Sequence, residues 1–408
     1  MIGQLGQKKI AMLGLGTNNR ALAEYFKKNA VEFDVLEWQT ADELIGKLDS
    51  YDVVFRTPGL PYRSAAIAKA KSKGVEISSQ TKLFFELCPS PIIGVTGTKG
   101  KGTTASLIAR ILAAAGKTVW LGGNIGRDPF EFLDRIKPSD WTVLELSSFQ
   151  LQDLERSPHI AVVLNITPDH LNHHKSMSEY VNSKANILSY QGPSDLAVLH
   201  SGLPKSFQKL GLGRKIFLDP AAVAGFQTKL LGKHNRDNIA AAAKVGELAG
   251  VALDKILQAV VEFEPLPHRL NVLRTVRGVT YIDDGFSTNI DPVIAAIEAV
   301  ESPVVLIIGG FDKGLDFTAV GKKILEKKQV KAVVIIGQMT DKILKAIEGF
   351  AGRILTGAKS MPQILAQANS VAVAGDTVLF SPGTSSFDMF KNESDRAEQF
   401  ATEVNKLQ

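Results

Sequence analysis

The residues with the most definite chemistry lie in the run Thr96-Gly97-Thr98-Lys99-Gly100-Lys101-Gly102-Thr103-Thr104. Gly97, Gly100 and Gly102 carry no side chain, so backbone N–H groups of such a loop can close on phosphate oxygens. Lys101 supplies a cation, and the helical run over 105–115 directs its N-terminal partial positive charge at the same point. Glycine-lysine-threonine turns also occur in ordinary loops. Here an apolar strand precedes the turn and a helix follows it, the order that a polyphosphate cradle requires. The match to G-x-x-x-x-G-K-[ST] is imperfect, because Val95 takes the first glycine position and Gly102 follows Lys101 directly. Glu145 stands at the end of the apolar run WTVLELS. Alone it reads as a satisfied polar residue at a strand end; beside a phosphate loop it is the oxygen ligand that Mg²⁺ takes together with ATP phosphates.

Chemistry of this kind needs strands that end at a common edge, and the chain is patterned accordingly. KKIAMLGLG reads as a buried strand entering a glycine turn, with a helix over 20–29 and a second strand over 32–36. Apolar runs ending in glycine or proline recur in PIIGVTG, WTVLELS, IAVVLNI, VVLIIGG, KAVVIIG and DTVLFSPG, separated by helical stretches. Strand-helix alternation predicts parallel sheets with helices on both faces and ligands at the carboxyl ends of the strands. Cys88-Pro89-Ser90-Pro91 reads as a linker, and Pro265 and Pro267 bracket a second boundary. Three α/β domains are expected, over 1–89, 90–265 and 266–408.

With 408 residues, 45% apolar and 22% charged, the composition is that of a globular protein. The net charge of +5 comes from scattered lysines and arginines without aromatic interleaving, which suits anionic small molecules and not nucleic acid. A single cysteine cannot form an internal disulfide, and no apolar stretch approaches the roughly 20 residues that span a bilayer. A cytoplasmic monomer without membrane insertion is expected.

TGTKGKGTT closely resembles the phosphate loop of the Mur ligase and folylpolyglutamate synthase superfamily, written TGTNGKS or GTNGKGS. The resemblance covers nearly the whole chain, with segments in the order of the Mur ligases that join D-glutamate to UDP-N-acetylmuramoyl-L-alanine. It implies a Rossmann-like N-terminal domain for UDP, a central P-loop ATPase-like sheet and a C-terminal Rossmann-like domain for the amino acid. It also implies ATP, two Mg²⁺ ions and an acyl phosphate. Most Mur ligases place a magnesium-binding serine after the lysine; with Gly102 there, the role passes to Thr103 or Thr104. GGNIG and VLELSSFQL are similar to family segments and imply substrate contacts from Asn124, Ser147 and Gln150 beside Glu145. NITPDHLNHH resembles the segment whose histidine, His170, holds the second magnesium. His173 and His174 match nothing in the family and read as solvated loop residues. Lys184 corresponds to the family lysine that becomes a carbamate and an anionic oxygen donor.

LLGKHNRDN resembles G-x-H-N-x-x-N, implying ATP contacts from Asn235 and Asn238; helix capping is the competing reading for Asn235. Pro267-His268-Arg269 resembles the family's proline-histidine-arginine, placing Arg269 on the γ-phosphate. IDDGFSTN resembles NDSKATN at Asp284, Thr288 and Asn289, GGFDKGLDF resembles GGxxKGxDF, and SPGTSSFDMFKN resembles SPACASFDMFKN. These imply ATP at Asp284 and amino-acid contacts from Thr288, Lys313, Ser386 and Phe387, although Lys313 suits an exposed turn and Ser386 a helix cap equally well. Phe286 stands where the motif has lysine, and Glu393 where an aromatic is usual, which opens the pocket to a different amino acid. In the first domain Gly14, Gly16 and Thr17 form a strand-helix turn suited to pyrophosphate, and Glu37 could meet ribose. That turn would equally suit a nicotinamide-dependent dehydrogenase; Thr57-Pro58-Gly59, resembling the family's serine-proline-glycine, favours UDP. A nucleotide-binding paralogue without catalysis is the remaining alternative.

Overall fold

A computed structural model of the protein describes residues 2–168, 174 and 176–408. Among the described residues three sheets form, and all but one of their strand pairings are parallel. The first holds β1 (Ile10–Leu13), β2 (Asp34–Leu36), β3 (Val53–Arg56) and β4 (Glu76–Ser79) in the order β2-β1-β3-β4. The second holds β5 (Ile92–Thr96), β6 (Val119–Gly123), β7 (Trp141–Glu145), β8 (Ile160–Val163), β9 (Leu196–Leu199) and β10 (Arg214–Phe217), ordered β10-β9-β8-β5-β7-β6. The third is β11-β12-β16-β13-β14-β15, from β11 (Asn271–Val276), β12 (Val279–Asp283), β13 (Val304–Gly309), β14 (Val330–Ile336), β15 (Arg353–Leu355) and β16 (Thr377–Phe380). β11 runs antiparallel to β12. The central strands are buried along their whole length, as strands covered by helices on both faces must be.

The chain divides into two compact units, one running to Gln227 together with Arg236–Val261, the other joining Thr228–Asn235 to Glu262–Gln408. The first unit contains two sheets because they share an apolar cluster: Phe84 meets Phe130 edge-on at 6.0 Å and Phe132 at 6.2 Å. The segment Cys88-Pro89-Ser90-Pro91 joins these sheets. Ser90 is buried, its hydroxyl 2.8 Å from that of Thr142.

Strand order changes direction at β1 and at β5, each flanked by strands that follow it in sequence on opposite sides. A crevice opens at the carboxyl end of such a strand. The glycine turn of residues 14–16 and the phosphate loop lie at these two positions. Helix starts differ from the sequence reading: Thr17–Lys28 begins three residues before the expected 20, and Lys101–Ala114 four before 105. In the second case Gly100 at φ +83° is the helix N-cap, so Lys101 belongs to the helix itself.

Candidate active site

The phosphate loop is set by what surrounds it. Gly97 (φ +152°) has no room for a side chain, since a Cβ would lie 2.7 Å from that of Leu164. At Gly100 a Cβ would overlap the amide of Asn238. Thr98 is an internal strut: its hydroxyl donates to Thr167 O (3.0 Å), accepts from Thr167 N (3.0 Å) and lies 3.1 Å from Tyr180 Oη. Lys101 Nζ donates to Thr98 O at 2.9 Å, and Lys99 stands half-exposed beside it. Of the two threonines, Thr104 is fully buried with its hydroxyl donating to Asn238 Oδ1 (3.2 Å), whereas Thr103, one residue past Gly102, is half-exposed.

Glu145 ends β7, directly beside β5, with Val95 its pairing partner. Its buried carboxylate accepts from Asn124 Nδ2 at 3.3 Å. Among the described residues no group of three or more histidine, cysteine, aspartate or glutamate side chains could cage a metal. One carboxylate beside a phosphate loop and a half-exposed hydroxyl is the donor set that fits Mg²⁺, which is held by few protein oxygens and completed by substrate phosphates. Lys184, on the helix Met177–Ser189, is 2% exposed, unlike a solvated helical lysine. Its Nζ donates to Gly97 O at 2.8 Å and sits 4.7 Å over the Tyr180 ring. His170 and His173 lie outside the described residues. His174 corrects the expectation of a solvated loop: it is 2% exposed, stacked on Phe149 at 5.2 Å, with Nε2 3.0 Å from Ser148 Oγ. Ser147 and Gln150 bond each other in a capping box at the helix Ser148–Leu151, with Ser147 N donating to Gln150 Oε1 at 2.9 Å. Their side chains have that local role whatever else they contact.

In the first sheet Gly14 turns at φ +68°, with Glu37 Oε2 3.9 Å from where its Cβ would be. Gly16 caps the helix that Thr17 opens. Thr57 and Gly59 form a turn closed by Leu60 N donating to Thr57 O at 3.1 Å, directly after β3. Asn19, which the sequence did not single out, is buried and pins the glycine turn by donating to Leu13 O (3.2 Å) and Gly14 O (3.1 Å).

The second unit gathers its residues at the carboxyl ends of β12, β13 and β16. Asp284 is buried and accepts from Leu270 N (3.2 Å), Ser381 Oγ (2.8 Å) and Ser287 Oγ, and burial pushes its carboxyl up to about 7. It therefore joins three loops. His268 (φ +60°) places Nδ1 2.6 Å from Asp283 Oδ2, and that bond raises its pKa. Arg269 is exposed, its guanidinium 5.9 Å over Phe286. Asn235 Nδ2 donates to Leu231 O at 2.6 Å, tying the first turn of the helix His234–Leu248 to the segment before it. Thr288 is half-buried and Lys313 exposed. Ser386 is fully buried and its Oγ finds no partner among the described residues, while Phe387 is 61% exposed, edge-on to Phe311 at 6.1 Å.

Residues 95–212 match the Mur ligase middle domain and 268–383 the Mur ligase glutamate ligase domain. The UDP-N-acetylmuramoylalanine--D-glutamate ligase of Symbiobacterium thermophilum is 35% identical, with both chains covered in full. That of Acetivibrio thermocellus is 34% identical over 99% of this chain and 98% of its own. The chain belongs to the Mur ligase family. Two solved Mur ligases from Thermotoga maritima share the fold at 18% identity and TM-score 0.62. UDP-N-acetylmuramate-alanine ligase matches over 98% of this chain and 99% of its own, and MurF ligase in complex with ADP over 87% and 88%. The protein is an ATP-dependent amide ligase, and family membership removes the dehydrogenase that the opening glycine turn allowed.

Some residues of this Mur ligase carry weight that sequence reasoning missed. Arg56 and Asp153 form an ion pair with no side-chain exposure. An arginine closing the apolar run VVFR was the available signal, because a charge in a strand covered on both faces needs a buried counter-charge. His174 gave no such signal, since its burial depends on Phe149, from the segment after β7, as well as on the nearby Tyr180.

Proposed function

We propose that this Mur ligase joins D-glutamate to UDP-N-acetylmuramoyl-L-alanine through an acyl phosphate, a step of peptidoglycan precursor synthesis. The observation that carries the reading is full-length similarity to ligases of that name, together with a phosphate loop that Glu145, Lys184 and Asn238 surround. The three-domain division at 89/90 and 265/266, the cytoplasmic location, the monomeric state and the UDP site at Gly14, Gly16, Thr17, Glu37, Thr57 and Gly59 belong to the same proposal.

The chain's own groups suit the chemistry. Lys101 and backbone N–H groups of the loop bind and orient the ATP phosphates, and Arg269 neutralises charge on the transferred phosphoryl group. Glu145 and Thr103 would hold Mg²⁺. Thr103 is preferred because Thr104 spends its hydroxyl on Asn238. A second ion would take His170 and a carbamate on Lys184. Bound there, Mg²⁺ supplies Lewis-acid stabilisation of developing phosphate charge. Lys313 would pair with a substrate carboxylate, and the unpartnered hydroxyl of Ser386 is a buried group that a ligand would satisfy. Attack by the amino group on the acyl phosphate then needs only orientation, which Thr288, Ser386 and Phe387 provide.

Phosphate release with ATP, Mg²⁺ and UDP-N-acetylmuramoyl-L-alanine, against a panel of D- and L-amino acids, tests the reading. D-Glutamate is expected to give the largest signal. Release with another amino acid and none above blank with D-glutamate would reject the amino-acid assignment and trace to Phe286 and Glu393.

A further inference from the structure

We infer that Arg56 and Asp153 are positioning residues that hold the uridine-side loop of the first sheet in register with the phosphate-side loop of the second. Arg56 Nε donates to Asp153 Oδ2 at 2.9 Å, and Nη2 donates to Asp153 Oδ1 and to Phe149 O, the latter at 2.8 Å. Nη1 lies 3.5 Å from Thr57 O, and the Tyr62 ring covers the guanidinium at 5.4 Å. The donors face protein acceptors, so Arg56 acts through its neighbours and is not a ligand itself.

The location gives the pair its meaning. Arg56 ends β3, and the turn of Thr57, Pro58 and Gly59 follows it immediately. Asp153 and Phe149 lie on the segment that leaves β7 just after Glu145. The pair thus ties together the carboxyl ends of two strands from different sheets, the ends where substrates of parallel sheets bind. A cleft runs alongside, lined by Asn18, Pro58, Ser79 and Gln150 together with Arg56 and Phe149.

Holding the sheets together does not require the pair, because the shared cluster around Phe84, Phe130 and Phe132 already does so. A buried ion pair is also a poor stabiliser: desolvation consumes most of its Coulombic gain, and apolar replacements of similar volume are often neutral. A planar guanidinium bound in two places to one carboxylate and to a backbone carbonyl supplies direction instead, fixing distance and angle at once. In a ligase that must bring a carboxylate carried by one substrate onto the γ-phosphate of another, a misplacement of about 1 Å costs up to about a hundredfold in rate.

This rests on the uridine-linked substrate proposed above. The test is the double variant Arg56→Met/Asp153→Leu, with Asp153→Asn as a shape-preserving second variant. Melting temperature, steady-state phosphate release and thermal shifts with ATP-Mg²⁺ and with UDP are measured on the intact chain. For the double variant the expected result is a melting temperature within about 5 °C of the unsubstituted protein, whereas Asp153→Asn, which leaves the guanidinium without its counter-charge, is expected to melt lower. The KM for ATP should stay within about twofold while kcat/KM for UDP-N-acetylmuramoyl-L-alanine falls about tenfold or more. Folded variants that keep kcat/KM within about twofold, or that lose ATP binding in proportion, would overturn it. If the unsubstituted protein turns over no uridine-linked acceptor, the substrate reading fails by itself and the thermal shifts decide. Loss of the UDP shift with the ATP shift retained supports the pair. Equal UDP shifts in variant and unsubstituted protein, or none in either, reject it.

Discussion

Lys184 could not be told from a solvated lysine by its sequence surroundings, because one cation on a helix carries no pattern of its own. The structure buries it and turns its amine onto Gly97. Lys184→Ala is expected to lower kcat about a hundredfold or more, with partial recovery on adding short carboxylates that replace the carbamate. An unchanged rate, or a loss that no carboxylate repairs, would remove the carbamate from the account. Ser386 makes the opposite kind of prediction. Its Oγ is buried without a partner among the described residues, so Ser386→Ala should leave the ligand-free protein as stable or stabilise it by about 1 kcal/mol. The KM for the amino acid should meanwhile rise about tenfold, and denaturation and kinetics on the same preparation separate the two effects. Asp284 gives a pH signature. Its folded pKa is about 7 against an ordinary 3.8, so the folded chain keeps a proton that the unfolded chain releases. Its contribution to stability is therefore complete at low pH and declines as pH rises through that window, by up to about 4 kcal/mol. Asp284→Asn should flatten this decline, read as the difference between urea midpoints at pH 5 and pH 8; parallel slopes in the two proteins would refute it.

Strand, glycine loop and helix were legible in order because each has its own period and composition, and the site follows from the strand ends. What was not legible is how the loop is held. Gly100 illustrates this: the sequence shows a glycine, while the reason for it is Asn238, which sits on a helix far along the chain. Gly100→Ala must place a side chain at φ +83° and displace Asn238, so a cost of at least about 1–2 kcal/mol and a marked loss of ATP binding are expected. Calorimetric titration with ATP checks it, and tight binding by the alanine variant would mean that the loop rearranges without penalty. The two threonines separate in the same way. Thr103→Val should raise the Mg²⁺ concentration needed for half-maximal rate about tenfold, whereas Thr104→Val should chiefly lower the melting temperature, since its hydroxyl bonds Asn238. His174 shows the limit of local reading: nothing in NHHK predicts a buried ring, because Phe149 and Tyr180 create its environment.

At the scale of the molecule, the chain passes between compact units at Val261/Glu262. A simple cut there misses part of the second unit, because Thr228–Asn235 belongs to it as well. That segment carries Leu231, which packs against the core of the third sheet around Val293, Ile297 and Phe317, and Gly232, which abuts Ala299. No composition shift marks it, since its eight residues simply continue into the helix His234–Leu248. A fragment of residues 262–408 alone should therefore lack apolar cover over the helix Ile290–Ala299. It should melt several degrees below the same fragment supplied with a peptide of residues 226–237, since burying one or two aliphatic side chains is worth about 2–4 kcal/mol. Thermal denaturation at increasing peptide concentration measures this directly, because a peptide that binds only the folded fragment raises the melting temperature by mass action. A melting temperature indifferent to the peptide would show that the third sheet completes its core without the segment, and that the boundary read from the prolines is sufficient.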